Sequence, residues 1–133
     1  RCFSEESREK ASRAIERYAE KIARSYRAQA EVEVKAGTPP TINDPKITEI
    51  AQKAAEKTVG SSNLVSLEKT TGSEDMAYYL REVPGCFAFV GAGFEDEEKN
   101  YPHHHPKFNL NEDSLLIGAS LYVNFALNYF GNE

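Results

Sequence analysis

The chain has no basic stripe, no long apolar run and no common paired-ligand motif. Its 133 residues carry 16 Lys and Arg against 21 Asp and Glu, for a net charge of -5 and a pI near 5.3. Without clustered positive charge, no nucleic-acid partner is expected. No apolar stretch approaches the roughly 20 residues that cross a bilayer, so no membrane partner is expected either. Cysteine is scarce: Cys2 and Cys86 lie far apart, and neither sits in a CxxC or Cys/His cluster. Two free thiols in a reducing compartment are the expectation, and with no visible signal peptide the expected location is cytoplasmic. HExxH, HxD and HxE are all missing. A catalytic zinc usually takes about three protein ligands plus water, and these residues alone cannot supply them. There is no internal repeat and no low-complexity tract.

Hydrophobic residues make up 40% of the chain and charged residues 28%, a composition that suits one globular domain or parts of two. "SEESREKASRAIERYAEKIARSYRAQA" reads as a helix capped by Ser4. Glu5 and Glu6 lie at its positive end, and Ala11, Ile15, Tyr18, Ile22 and Tyr26 form its packed face. A second helix starts at Asp44 and Pro45, carries Ile47, Ile50, Ala51, Ala54 and Val59 on one face, and stops at Gly60. "GSEDMAYYLREVP" predicts a short helix capped by Ser73 and ended by Pro84. "NEDSLLIGASLYVNFALNYFG" predicts a well-buried helix capped by Asn111 and stopped by Gly131.

Between the helices lie strand-like segments. In "EVEVKA", Val32 and Val34 alternate with charged residues, as in a strand with one wet face. "NLVSL" is a short candidate, and "CFAFVGAG" is a continuous apolar run of the kind buried on both faces. "GTPPTINDP" breaks the pattern and suits a hinge. Strands alternating with helices after it predict an α/β fold with a largely parallel sheet.

All three histidines stand together in "YPHHHPKF", residues 101–108, between Pro102 and Pro106. Imidazole is the commonest metal-binding side chain and also a general base near neutral pH. In an α/β sheet, ligands bind beyond the carboxyl ends of the strands. The apolar run delivers the chain to that edge about a dozen residues earlier. Adjacent side chains diverge, so one of the three serves a given ion while the others contact substrate, support the ligand or face solvent. A polar surface loop with no ligand is the competing reading, and so is a weak metal-binding module using the triplet alone. The preceding Glu95, Asp96, Glu97 and Glu98 read as a solvated charge run.

"GSED", residues 72–75, is the second candidate. Gly72 and Ser73 could bring backbone close to a site, with Glu74 or Asp75 orienting a neighbouring ligand. The alternative is a helix start with first-turn acids. Backbone N–H groups there attract anions, which Glu74 and Asp75 would repel.

"GSEDMAYYLREVPGCFAFVGAG" followed by "YPHHHPKFNLNEDSLLIGASLY" resembles the C-terminal part of the aminoacylase/carboxypeptidase-type metallohydrolases. The likeness is to the subgroup of hippurate hydrolases, N-acyl-amino-acid amidohydrolases and auxin-conjugate hydrolases. The segment from "RCFSEE" to "TINDP" is similar to the second half of that family's inserted lid. The resemblance implies a partial, mostly parallel sheet with flanking helices, together with half of an α+β lid and dimerisation domain. It places the lid portion at 1–36, a hinge at 37–45 and the C-terminal part of the catalytic domain at 46–133. It implies two divalent ions (Zn, Mn, Co or Ni) in the intact enzyme, with His104 as a ligand. His103, His105, Gly72, Ser73, Glu74 and Asp75 then lie close by or touch substrate. The family's general-base Glu and other ligands belong upstream, in a missing N-terminal portion, so no catalytic residue is expected here. The implied substrate is an N-acyl amino acid or small peptide, and the implied assembly a homodimer through the lid. An inactive fragment or split-protein piece, acting in assembly, is the alternative.

Overall fold

Ser4 opens the first helix. Its Oγ accepts from the Ser7 N–H at 3.2 Å, with Glu5 and Glu6 in the first turn of α1 (Glu5–Ser25). The helix stops short of the periodic pattern because Arg27 turns left-handed, at φ 56. Ala28 N–H then donates to Ala23 C=O at 2.9 Å and Arg27 N–H to Arg24 C=O at 3.0 Å, a closure that satisfies the last carbonyls. The computed structural model describes residues 1–131 and divides them into two compact units. One is Arg1–Ile42 with Leu67–Gly85, and the other is Asn43–Ser66 with the residues from Cys86 onward.

In the first unit, polar links hold the segments together. The Arg8 guanidinium donates to Gly37 C=O at 2.9 Å and pairs with Glu5 at 2.7 Å. The Arg1 guanidinium donates to Thr71 C=O at 3.0 Å. The Thr38 and Ser73 hydroxyls share a short hydrogen bond. Helix α3 (Met76–Glu82) buries Ala77 and ends at Val83, which is extended (φ -139, ψ 146) as a residue before proline must be. Ser73, spent on Thr38, does not cap α3. Glu74 takes that role, its Oε1 accepting from Met76 N–H at 3.0 Å.

The second unit is built on one helix pair. Asp44 Oδ1 accepts from the N–H groups of Lys46 and Ile47 at 2.9 and 3.0 Å, and Pro45 leads into α2 (Pro45–Val59). Gly60, at φ 81, ends it. Helix α4 (Asp113–Phe130) packs against α2. Ala54, fully buried, lies on α2 one turn before Thr58. Two polar bridges link the helices: Asn124 Nδ2 donates to Thr58 Oγ1 at 3.0 Å, and Lys57 Nζ to Asn128 Oδ1 at 2.6 Å. Asn111 stands just before α4, its Oδ1 accepting from Asp113 N–H at 3.0 Å.

The expected parallel sheet is absent: no strand occurs among the described residues. The segments read as strands, 31–36, 63–67 and 86–93, make no ladder. Alternation in sequence sets which side chains share a face, and Val32 and Val34 are indeed less exposed than Glu31 and Glu33. A strand, however, exists only through backbone hydrogen bonds to a neighbour, and no described segment provides them. The expected burial is also missing. Phe89, in the run read as buried on both faces, is 67% exposed. Tyr18 on the supposed packed face of α1 is 59% exposed, and Leu116 of α4 is 74% exposed. Within the first unit α1 and α3 do not pack on each other. Among the described residues only Pro39, Ala54 and Ala77 are buried, all of them small apolar residues. The accessible surface, 11251 Å², compares with about 7,000 Å² for a folded monomer of this mass.

Candidate functional site

The histidine loop is tied at its base in two places. Asn100 Nδ2 donates to Phe94 C=O at 2.9 Å while Phe94 N–H donates to Asn100 Oδ1 at 2.8 Å. Asn111 N–H donates to Ala92 C=O at 2.8 Å. The first tie joins the exit of the apolar run to the entry of the histidine segment, and the second joins the run to that segment's end. Gly93 permits the approach, since a Cβ there would meet Asn100 Oδ1 at 3.3 Å. Between the ties, a 3-10 turn at Glu97–Lys99 is capped by Asp96, whose Oδ1 accepts from Glu98 N–H at 3.2 Å. Glu95, Asp96, Glu97 and Glu98 are all exposed, as a solvated run should be.

Two consecutive turns shape the histidines. His105 N–H donates to Pro102 C=O at 3.1 Å, and Phe108 N–H to His105 C=O at 2.9 Å. Pro106 sits second in the latter turn, where its fixed φ fits. His104 is third in the former, with φ 69. That position accepts a positive φ in a type II turn, but normally from Gly or Asn.

The three rings differ in their surroundings. His105 stacks on Tyr101 with centroids 4.5 Å apart and planes 12° from parallel, and its Nδ1 accepts from Lys107 N–H at 3.1 Å. Lys107 Nζ lies 5.8 Å from the Tyr101 ring centre, a cation–π contact on the same platform. His103 meets Phe108 edge to face at 5.0 Å. His104 is exposed, and no ring or hydrogen-bond partner engages its imidazole among those found for the triplet. An exposed imidazole on a stiff turn suits a single donor to a cation. A full cage is another matter: no group of three or more His, Cys, Asp or Glu able to hold a metal ion occurs among the described residues. The fit to a divalent ion is therefore that of one contributed donor.

Gly72, Ser73, Glu74 and Asp75 belong to the other compact unit. Ser73 is bonded to Thr38 and Glu74 to the Met76 amide, while Asp75 makes no capping hydrogen bond with its side chain. A methyl group at Gly72 would meet only Thr70 Oγ1, at 3.6 Å, an ordinary contact. Sequence reasoning passed over Asn100, Tyr101, Lys107 and Phe108. The available signal was an asparagine and an aromatic placed immediately before a proline-bounded histidine run.

Residues 3–128 match the model for peptidase family M20/M25/M40. A Bacillus subtilis (strain 168) protein described as an amidohydrolase, YhaA, is 36% identical over 129 residues, covering 97% of this chain and 33% of that protein. The N-acetyl-L-cysteine deacetylase of the same organism is 32% identical over 123 residues, covering 92% and 28%. A crystal structure described as an aminohydrolase from methicillin-resistant Staphylococcus aureus superposes with a TM-score of 0.77 at 34% identity, covering 95% of this chain and 32% of that one. The chain thus spans about a third of the length of these relatives. On the match across residues 3–128, the chain belongs to peptidase family M20/M25/M40.

Proposed function

We propose that this chain is the C-terminal segment of a divalent-metal-dependent amidohydrolase acting on N-acyl amino acids or small peptides, with His104 as one metal ligand. The family match carries the reading, since it encloses the whole histidine loop. The deacetylase among the relatives supports an N-acyl amino acid as substrate. When bound, the divalent ions supply Lewis acidity toward the amide carbonyl and a more acidic water. His104 contributes a neutral imidazole nitrogen, while His103 and His105 stay engaged with Phe108 and Tyr101. The base that moves the proton is a Glu supplied from outside this sequence. Residues 1–36 belong to a lid that carries a homodimer contact, 37–45 form its hinge, and 46–133 complete the catalytic domain; the enzyme works in the cytoplasm. Hydrolysis of N-acetyl amino acids by the intact protein, loaded with Mn²⁺ or Zn²⁺, tests this. His104→Ala abolishes turnover, and undiminished turnover in that variant overturns the assignment.

The exposed apolar side chains Ile15, Tyr18 and Ile22 of α1 favour a second reading, in which the chain alone is inactive and serves in assembly. Metal-supplemented turnover by the chain alone, lost in His104→Ala, would defeat it.

A further inference from the structure

We infer that Tyr101 is a positioning residue for the His104 imidazole, acting through His105. The inference rests on the reading of His104 as a metal ligand. A non-glycine residue at φ 69 is held there only when its surroundings over-determine the backbone. The surroundings here are the two flanking residues. His105 is fixed on its face by the Tyr101 ring at 4.5 Å and on its edge by the Lys107 N–H at 3.1 Å. Its own N–H closes the turn on Pro102 at 3.1 Å. His103 is held by the edge-to-face contact with Phe108 at 5.0 Å.

Tyr101 is itself anchored. It is half-buried, carries the Lys107 ammonium at 5.8 Å and follows Asn100, which is bonded twice to Phe94. The stack therefore transmits the position of the loop base to His105, and the turn transmits it to His104. Removing the ring of Tyr101 frees His105, and His104 then loses the constraint that keeps its exposed imidazole clear of its neighbours. The hydroxyl of Tyr101 has no part in this, so phenylalanine serves equally well.

The test is ring-resolved ¹H–¹³C NMR of the three imidazoles in the full chain, titrated with Ni²⁺ alone. In the wild type and in Tyr101→Phe, the His104 ring signal is lost first. In Tyr101→Ala, all three rings lose intensity together and apparent Ni²⁺ affinity falls by roughly tenfold, the lower end of losses seen when a ligand's supporting contacts are removed. Helix content, followed by circular dichroism, stays constant. If Tyr101→Ala disturbs the fold, His105→Ser provides the same test: it removes the stack from the other side, and Tyr101→Phe in that background adds nothing. His104-first loss at unchanged affinity in Tyr101→Ala, or in His105→Ser, overturns the inference while leaving His104 as ligand. Loss of His103 or His105 first in the wild type overturns the ligand assignment, and the inference with it.

Discussion

Asn100 holds the backbone of Phe94 by both of its polar groups, donating to the carbonyl at 2.9 Å and accepting from the amide at 2.8 Å. A side-chain amide here does what a neighbouring strand would do for one residue. Asn43 does the same for Phe87, at 2.9 and 2.8 Å. The apolar run between Phe87 and Phe94 is thus pinned near each end by an asparagine.

Asn100→Ala should lower stability by about 1 kcal/mol, the net value of one typical hydrogen bond, because the pair is solvent-exposed. Asn100→Asp keeps the acceptor for the Phe94 N–H and loses the donor, so it should fall between. Urea unfolding gives the ranking. Amide exchange at Phe94 should quicken in Asn100→Ala and stay slow in Asn100→Asp.

The left-handed backbone at His104 separates two variants that both delete the imidazole. His104→Gly should be about 1 kcal/mol more stable than His104→Ala, because only glycine takes φ 69 without steric cost. Thermal unfolding of the two proteins measures the difference. The reverse order would mean that the turn at Pro102–His105 is not left-handed in solution.

Ala54 is fully buried one turn before Thr58, the α2 residue that Asn124 of α4 bridges. Ala54→Leu should cost about 1–3 kcal/mol by forcing the helices apart. The Thr58–Asn124 bridge would stretch with it. Denaturant midpoints test the cost, and substitution at exposed Gln52 serves as the neutral control.

Glu49 and Lys53, four residues apart on α2, pair at 2.8 Å. The hydrogen bond from Lys53, aided by its charge, holds the Glu49 carboxyl below its ordinary range. The small stabilisation this brings is present above the ordinary glutamate range and is lost as pH falls through the lower folded value. In Lys53→Met the Glu49 midpoint should rise, as read by NMR titration of its side-chain carboxyl carbon. An unchanged midpoint would show that the pair does not form in solution.

What could be read from the sequence was local. Asp44, Pro45 and Gly60 mark the ends of α2 because capping uses residues adjacent in the chain. Ser4 marks the start of α1 for the same reason. Pairing is non-local and escaped: the alternation at Val32 and Val34 has no ladder behind it. The periodicity of Ile15, Tyr18 and Ile22 defines a face but not its partner, and that face is exposed. In the histidine loop, the two prolines mark the bounds of the run but not the turns within it. The positive φ at His104 and the Tyr101 stack depend on how two turns follow one another, which no single residue type announces. Ser73 has the right residue type for a cap, but its hydroxyl is engaged by Thr38, a partner distant in the chain.

The partners in the α2–α4 contact are separated by the whole stretch from Gly60 to Glu112. On a ribosome, α2 would emerge and wait while that intervening stretch and then α4 were synthesised, at a pace of roughly 5–20 residues per second. For those seconds the alanine-lined side of α2 is without α4. Nascent chains of this protein should therefore be clients for chaperones that shield apolar helices during translation, up to the moment α4 is released.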